Sequence, residues 1–221
     1  RKPQVRIITV AGTNGKGSAV AAVEALLRAA GRRTGAYTSP HLQRYNERIR
    51  LNGEEITDEA LVKAFEAVET ARGSVSLTYF EFGTLAAFVA FAEAGLDDWV
   101  LEVGPGGRLD AVNVLDADFV ILTSVDIDHV AFLGDNREVI GFEKAGVLRP
   151  GIPAVYADID PPRSVLQQAT AQKVDLDLFG RDYELVREEP AGSGFPAVVL
   201  NYHDQAVRLP AGPLPVTSVA A

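Results

Sequence analysis

The sequence predicts an α/β protein of three layers: a mostly parallel, P-loop-type sheet covered on both faces, followed by a small antiparallel appendage. Three observations predict it. Short apolar or β-branched runs alternate with helix-compatible stretches through residues 1–158. Runs such as Phe119–Ser124 are almost continuously apolar, as strands buried on both faces are. Beyond Arg163 the pattern changes to one helix and then short alternating segments, so residues 159–221 are assigned to the appendage. The 221 residues, 47% apolar and 23% charged, suffice for one large domain with a substantial core.

Each element has a local reason. Val5–Val10 is a β-branched strand that passes through a glycine-rich turn into a helix over 18–30, which Gly31 stops. Thr34–Tyr37 is a second strand, ended at Thr38-Ser-Pro40 because proline cannot continue a ladder. A polar loop is expected from His41 to Ile56. Thr57 caps the next helix, with Asp58 and Glu59 favouring its positive end and Leu61, Phe65 and Val68 on one face; Gly73 ends it. An apolar helix starts near Tyr79, and Glu81 and Glu93 mark it as a core helix, not a membrane span. Trp99–Val103 and Phe119–Ser124 are buried strands, a helix runs to Leu148, and Pro153–Tyr156 is another strand. A helix then runs to Lys173, and segments at Val174–Phe179, Tyr183–Arg187, Ala197–Tyr202 and Ala206–Leu209 form the appendage.

Composition excludes several classes. With no cysteine there is no disulfide framework, thiolate nucleophile, thiolate zinc site or iron–sulfur cluster, which fits a cytoplasmic protein. There is no signal peptide pattern, and the absence of methionine with a start at Arg1 leads us to expect that the natural start is missing. The net charge of −9 hides an asymmetry: residues 1–50 hold 10 of the 21 Lys and Arg and only two acids, Glu24 and Glu47. An acidic protein with one basic quarter is a poor nonspecific nucleic-acid binder, whereas the basic quarter could attract a compact anion.

The chemistry gathers at the carboxyl ends of the expected strands, the edge where open α/β sheets bind ligands. Gly12-Thr13-Asn14-Gly15-Lys16-Gly17-Ser18 joins strand to helix, so its backbone N–H groups and the helix N-terminus suit phosphate, with Lys16 reaching the terminal phosphates and Ser18 available to magnesium. Gly17 separates the lysine from the hydroxyl residue, a variant of the usual spacing. Glu102 sits inside an apolar strand, where an unpaired carboxylate is costly to bury and a metal would relieve the cost. Asp126, Asp128 and His129 follow another buried strand, as magnesium or phosphate ligands or as ordinary structural residues. Glu143 and Lys144 read by default as exposed helix charges, and His203 as surface.

Taken in order, Gly12–Ser18, Ser39-Pro-His-Leu42, Arg44–Arg50, Leu77-Thr-Tyr-Phe-Glu81, Leu101–Asp110, Asp128-His129 and Glu143-Lys-Ala-Gly146 resemble the folylpolyglutamate synthases, and within them the bifunctional dihydrofolate synthase/folylpolyglutamate synthases of the Mur ligase superfamily. The resemblance runs from Val5 to Ala221. It implies the central-domain fold of the Mur ligases and an ATP- and magnesium-dependent ligation of L-glutamate to dihydropteroate or a reduced folate through an acyl phosphate. It further implies Lys16, His129 and Lys144 as catalytic residues and Gly12–Ser18 as the ATP loop. Ser18, Ser39, Glu102, His129 and a carbamylated Lys144 would serve two metal sites, and Arg44, Asn46, Arg48, Arg108 and Asp110 would face the substrate. Pro105 stands where the family usually has an aliphatic residue, and it removes an N–H beside Glu102.

The family also carries a helical segment before the glycine loop and a separate C-terminal α/β domain, neither of which this sequence contains, so the chain alone is expected to be incomplete for ligation. Expected partners are small molecules, with no nucleic acid or membrane, and a monomeric state. The competing readings are another Mur-type amino-acid ligase, a P-loop kinase or NTPase, and a non-catalytic nucleotide-binding fragment.

Overall fold

Apolar runs rich in β-branched residues form the strands, and alanine-, leucine- and valine-rich runs between turn residues form the helices. In the computed structural model, residues 3–128, 134–188 and 197–210 are described. β1 spans Arg6–Ala11, α1 Lys16–Ala29, β2 Thr34–Tyr37, β3 Ile49–Leu51 and β4 Glu54–Glu55. Next come α2 at Asp58–Arg72, α3 at Tyr79–Ala94, β5 at Asp98–Glu102 and β6 at Phe119–Leu122. The remainder is α4 at Arg137–Ala145, β7 at Pro153–Tyr156, α5 at Arg163–Ala171 and β8 at Asp175–Leu178, then β9, β10 and β11 at Tyr183–Glu188, Ala197–Tyr202 and Gln205–Pro210.

Eight strands make the main sheet in the order β4-β3-β2-β5-β1-β6-β7-β8. From β2 to β8 neighbours are parallel, while β3 and β4 extend the β2 side antiparallel. β9–β11 form a separate antiparallel sheet. Alternation along each strand divides the core. Ile8, Val10, Val100 and Ile121 pack beneath Ala19 and Val20 of α1. Ile7, Trp99, Leu101, Val120 and Leu122 face the other way, into a larger core with residues of α2 to α5 such as Val68, Phe91, Ile140 and Val165. Fully buried large apolar side chains each contribute about 1.5–3 kcal/mol, so the larger cluster dominates the stability. Trp99 is buried there, stacked with Phe88 at 5.9 Å between centroids and tilted against Phe91 at 5.4 Å.

Helix ends follow their capping residues. Thr57 Oγ1 accepts from Ala60 N–H, and Thr78 forms a reciprocal capping box with Glu81, so α2 and α3 begin where their threonines dictate. Two expectations are corrected. The loop expected over residues 41–56 contains a 3-10 turn at Tyr45–Arg48 and the β3–β4 hairpin. Its turn is Asn52-Gly53, at φ 53° and 83°, and asparagine–glycine is the pair that best tolerates two such residues. The segment over 174–179 does not join the appendage: β8 pairs parallel with β7, because α5 returns the chain as a βαβ crossover. Tyrosines tie the small sheet to this edge, Tyr183 donating to the Tyr156 carbonyl at 3.1 Å and Tyr202 to Asp177 Oδ2 at 2.8 Å.

Candidate functional site

The chain leaves β1 toward β2 on one side and later reaches β6 on the other, so strand order reverses around β1. The glycine loop emerges at that crevice, where open α/β sheets place ligands. Gly12 has φ 149°, and a Cβ there would lie 2.0 Å from Thr123 Oγ1, so only glycine fits against the loop after β6. That loop also grips the next residues. Thr13 N–H donates to Ser124 O at 2.8 Å, Thr13 Oγ1 bonds both the carbonyl and the N–H of Asp126, and Asn14 N–H donates to Ser124 Oγ at 3.2 Å. Gly15, at φ 83°, turns the chain into α1.

Two lysines meet at one carbonyl oxygen. Lys16 Nζ lies 3.0 Å from Gly12 O and 3.1 Å from Thr13 O, and Lys144 Nζ lies 2.8 Å from the same Gly12 O. Lys144 is 2% exposed, which corrects the default reading of an exposed helix charge. Burial, and then the nearby Lys16 cation, bring its pKa down to about 8. A carbonyl neutralises neither charge, so a buried and a half-buried cation meet beside a helix N-terminus, with the carboxylates of Asp110 and Asp128 acting on Lys144 and that of Glu102 within reach of Lys16.

Glu102 closes the other side. It is 4% exposed, one oxygen accepts Ser39 N–H at 3.1 Å, and a Cβ on Gly17 would lie 3.7 Å from that same oxygen. Burial pushes its carboxyl pKa up, against the opposing pull of Ser39 N–H and Lys16. Glu102, the Ser39 loop and the first turn of α1, which carries half-buried Ser18, therefore converge. A carboxylate with serine hydroxyls is a hard oxygen set that fits a magnesium or manganese ion. Among the described residues no cluster of three or more His, Asp or Glu could hold a metal, and His129 lies outside them.

The loop after β5 contributes Asp110, whose oxygens accept from Gly104 N–H at 3.0 Å and Val112 N–H at 2.9 Å while burial raises its pKa. Asp110 and Arg108 line a cleft of about 440 Å³ with Pro105, Val139 and Glu143. Arg108 is committed within it: Nη2 lies 2.9 Å from Glu143 Oε1, and its backbone N–H donates to Glu143 O at 2.8 Å. A Cβ on Gly107 would meet that carbonyl oxygen at 2.2 Å, so glycine is needed for loop and helix to touch. The Pro105 side chain is exposed in this cleft, next to Gly104, whose N–H still donates to Asp110.

The Arg44–Arg50 loop is held differently. Arg44 Nη2 and Asn46 Nδ2 converge on Asp58 Oδ1 at 3.0 and 2.8 Å, and Asn46 also donates to Ile56 O. Arg48 is buried, donates to His41 Nδ1 at 2.8 Å and lies over the rings of Tyr45 and Tyr79. These three polar side chains thus hold the loop together, and the Arg48 charge also acts on Glu102. Sequence reasoning missed Asn113 and Arg149, which bond each other and the Gly146 carbonyl just past the end of α4; the available signal was an asparagine three residues past the Gly-Gly-Arg-Leu-Asp run.

A glycine loop at the reversal point of a parallel sheet, a lysine in its first helical turn and a buried carboxylate on the neighbouring strand define a P-loop-type α/β domain. No model of a protein family matches the chain. Over 182 residues it is 49% identical to the dihydrofolate synthase/folylpolyglutamate synthase of Escherichia coli K12, a match covering 82% of this chain and 43% of that protein. A structure of Escherichia coli FolC in complex with DHPP and ADP superposes with TM-score 0.90 at 40% identity, covering 100% of this chain and 53% of that one. A Yersinia pestis bifunctional folylpolyglutamate synthase/dihydrofolate synthase with Mn, AMPPNP and L-glutamate bound matches with TM-score 0.90 at 43% identity, over 99% of this chain and 52% of that one. The chain belongs to the dihydrofolate synthase/folylpolyglutamate synthase family and spans about half the length of these relatives.

Proposed function

We propose that this chain forms the ATP-binding part of a magnesium-dependent ligase that joins L-glutamate to dihydropteroate or a reduced folate in the cytoplasm, as a monomer. The observation that carries the reading is the convergence of Lys16 and Lys144 on Gly12 O, with buried Glu102 across the first turn of α1. The relatives' bound ADP, AMPPNP, Mn and glutamate support it.

In this reading the backbone of Gly12–Ser18 cradles the ATP phosphates and Lys16 neutralises charge on the transferring group. The γ-phosphoryl passes to the substrate carboxylate, ADP leaves, the glutamate amine attacks the acyl carbon, and phosphate departs as the amide forms. Ser18, Ser39, Glu102 and His129 hold divalent metal, which supplies charge neutralisation at the phosphates. Asp110 and Arg108 border the folate-type substrate, with Arg44, Asn46 and Arg48 shaping the adjoining loop. Lys144 acts as a carbamate, formed when its neutral amine adds to carbon dioxide with loss of a proton. A pKa about 8 leaves roughly a tenth of the amine neutral at pH 7, on the order of a few hundred times more than for an ordinary lysine.

The test is product mass spectrometry with ATP, magnesium, glutamate and each pterin acceptor offered separately, using this chain alone and joined to the rest of a relative's sequence. A product heavier by one glutamate, with ADP release dependent on both acceptor and glutamate, is expected. Phosphate transfer to a stable acceptor without amide product would overturn the reading in favour of a kinase.

A further inference from the structure

Behind Lys144 lies a polar junction that none of the ligand-facing roles uses. Asn113, on the 3-10 turn Ala111–Val114, is its hub. Its Nδ2 donates to Arg108 O at 3.0 Å and to Gly146 O at 3.1 Å, while its own carbonyl and Oδ1 accept from Arg149 Nη2 at 2.9 and 2.8 Å. Arg149 also donates through Nη1 to Gly146 O at 3.2 Å and pairs with Asp116.

A helix leaves its last carbonyls without intrahelical partners. At the end of α4, Lys144 O and Ala145 O accept from the Val147 and Leu148 N–H groups, Glu143 O accepts from Gly146 N–H and from Arg108 N–H, and the next carbonyl, Gly146 O on the capping residue, accepts from Asn113 and Arg149. The contact has no slack. A Cβ on Gly107 would lie 2.7 Å from Lys144 Cα, and one on Gly146 would lie 2.4 Å from Arg108 Cβ. Lys144 stands inside this turn, and its amine reaches Gly12 O across the interior.

We propose that Asn113 and Arg149 are positioning residues that fix the last turn of α4 and thereby hold the Lys144 amine at the Gly12 carbonyl. The inference rests on the reading of Lys144 as a working group and names what places it. Only an amide suits position 113, since the same side chain must donate to two carbonyls and accept from a guanidinium. Aspartate, nearly the same shape, would set a carboxylate against both carbonyls.

The experiment is competitive amine acylation read by mass spectrometry, with exposed Lys63 and Lys173 as internal references. In the wild-type protein Lys144 should react roughly tenfold or more slowly than either, because a buried amine reacts only on local opening. In Asn113→Asp, and in Arg149→Lys, which keeps the charge but loses the planar fork, labelling of Lys144 should rise by roughly tenfold with the references and amide exchange in β1 and β6 unchanged. In the ligase assay both variants should lose kcat at constant KM for ATP. Wild-type Lys144 labelling as fast as Lys63, unchanged Lys144 labelling in folded variants, or a rise in KM alone would overturn the proposal. Should Asn113→Asp fail to fold, Arg149→Lys reads the same quantity. Labelling requires no nucleotide, so a chain that binds no ATP yet releases Lys144 in both variants supports the junction while overturning the function proposed above.

Discussion

The two edges of the parallel sheet both concentrate charge, and they treat it in opposite ways. At the amino edge, Asp98 is 0% exposed and pairs with both Arg6 and Arg32, while Arg33 pairs with Asp97 at 2.9 Å. At the carboxyl edge, Lys16 and Lys144 rest on a backbone carbonyl, and Glu102 and Asp110 accept from backbone N–H groups. Carboxylates there shift upward and an amine shifts downward, each through burial. Ion pairs brace the first edge; charges held on backbone groups and shifted by burial mark the second, the pattern expected of a ligand site.

The comparison predicts that losses divide cleanly between activity and stability. The largest effect belongs to Lys16→Ala, expected to lower ligation by roughly 10³-fold or more with the unfolding midpoint nearly unchanged, measured by ADP release and thermal melting. A large drop in midpoint would mean that Lys16 braces the loop and does not wait for phosphate. Next is Asp98→Asn, which strands two guanidinium groups at the amino edge; a midpoint lower by roughly 5 °C, with nucleotide affinity unaltered, is expected. Equal losses in melting and nucleotide binding would erase the distinction between the edges.

The smallest effect is a pH dependence. Lys144 has its folded-state pKa lowered from 10.5 to about 8, so between those values the unfolded chain binds more protons and stability rises with pH. Below about pH 8 the cost of burying the cation is fully present. Lys144→Met lacks that cost, so its stability advantage over the wild type should shrink by a few degrees of midpoint between pH 8 and 10. A constant advantage across that range would show that the amine is not desolvated.

Much of this was legible in the sequence because the strands and caps are local features. Thr57, Thr78, Gly73 and the run over 119–122 each announce an element within a few residues. The glycine loop was legible for the same reason. Asn52-Gly53 also announced its hairpin, yet the surrounding polar residues masked a strand of three residues and one of two. Lys144 was illegible as a buried amine because the groups around it are remote in sequence, its hydrogen-bond partner Gly12 O lying 132 positions away. Asn46 and Arg44 show the same limit: the family resemblance implies a substrate loop there, while their hydrogen bonds to Asp58 on the following helix could not be read from the sequence. Local chemistry specifies elements, whereas the partner of a long polar side chain is decided by which loops the sheet brings together.

The single tryptophan has a practical consequence. Trp99 lies buried on β5, three residues before Glu102, its ring stacked on Phe88 of the covering helix. Its emission is therefore an intrinsic gauge of the strand that carries the carboxylate. Any variant whose indole emission matches that of the wild type has kept that strand docked, so lost turnover in such a variant can be assigned to chemistry without a separate label.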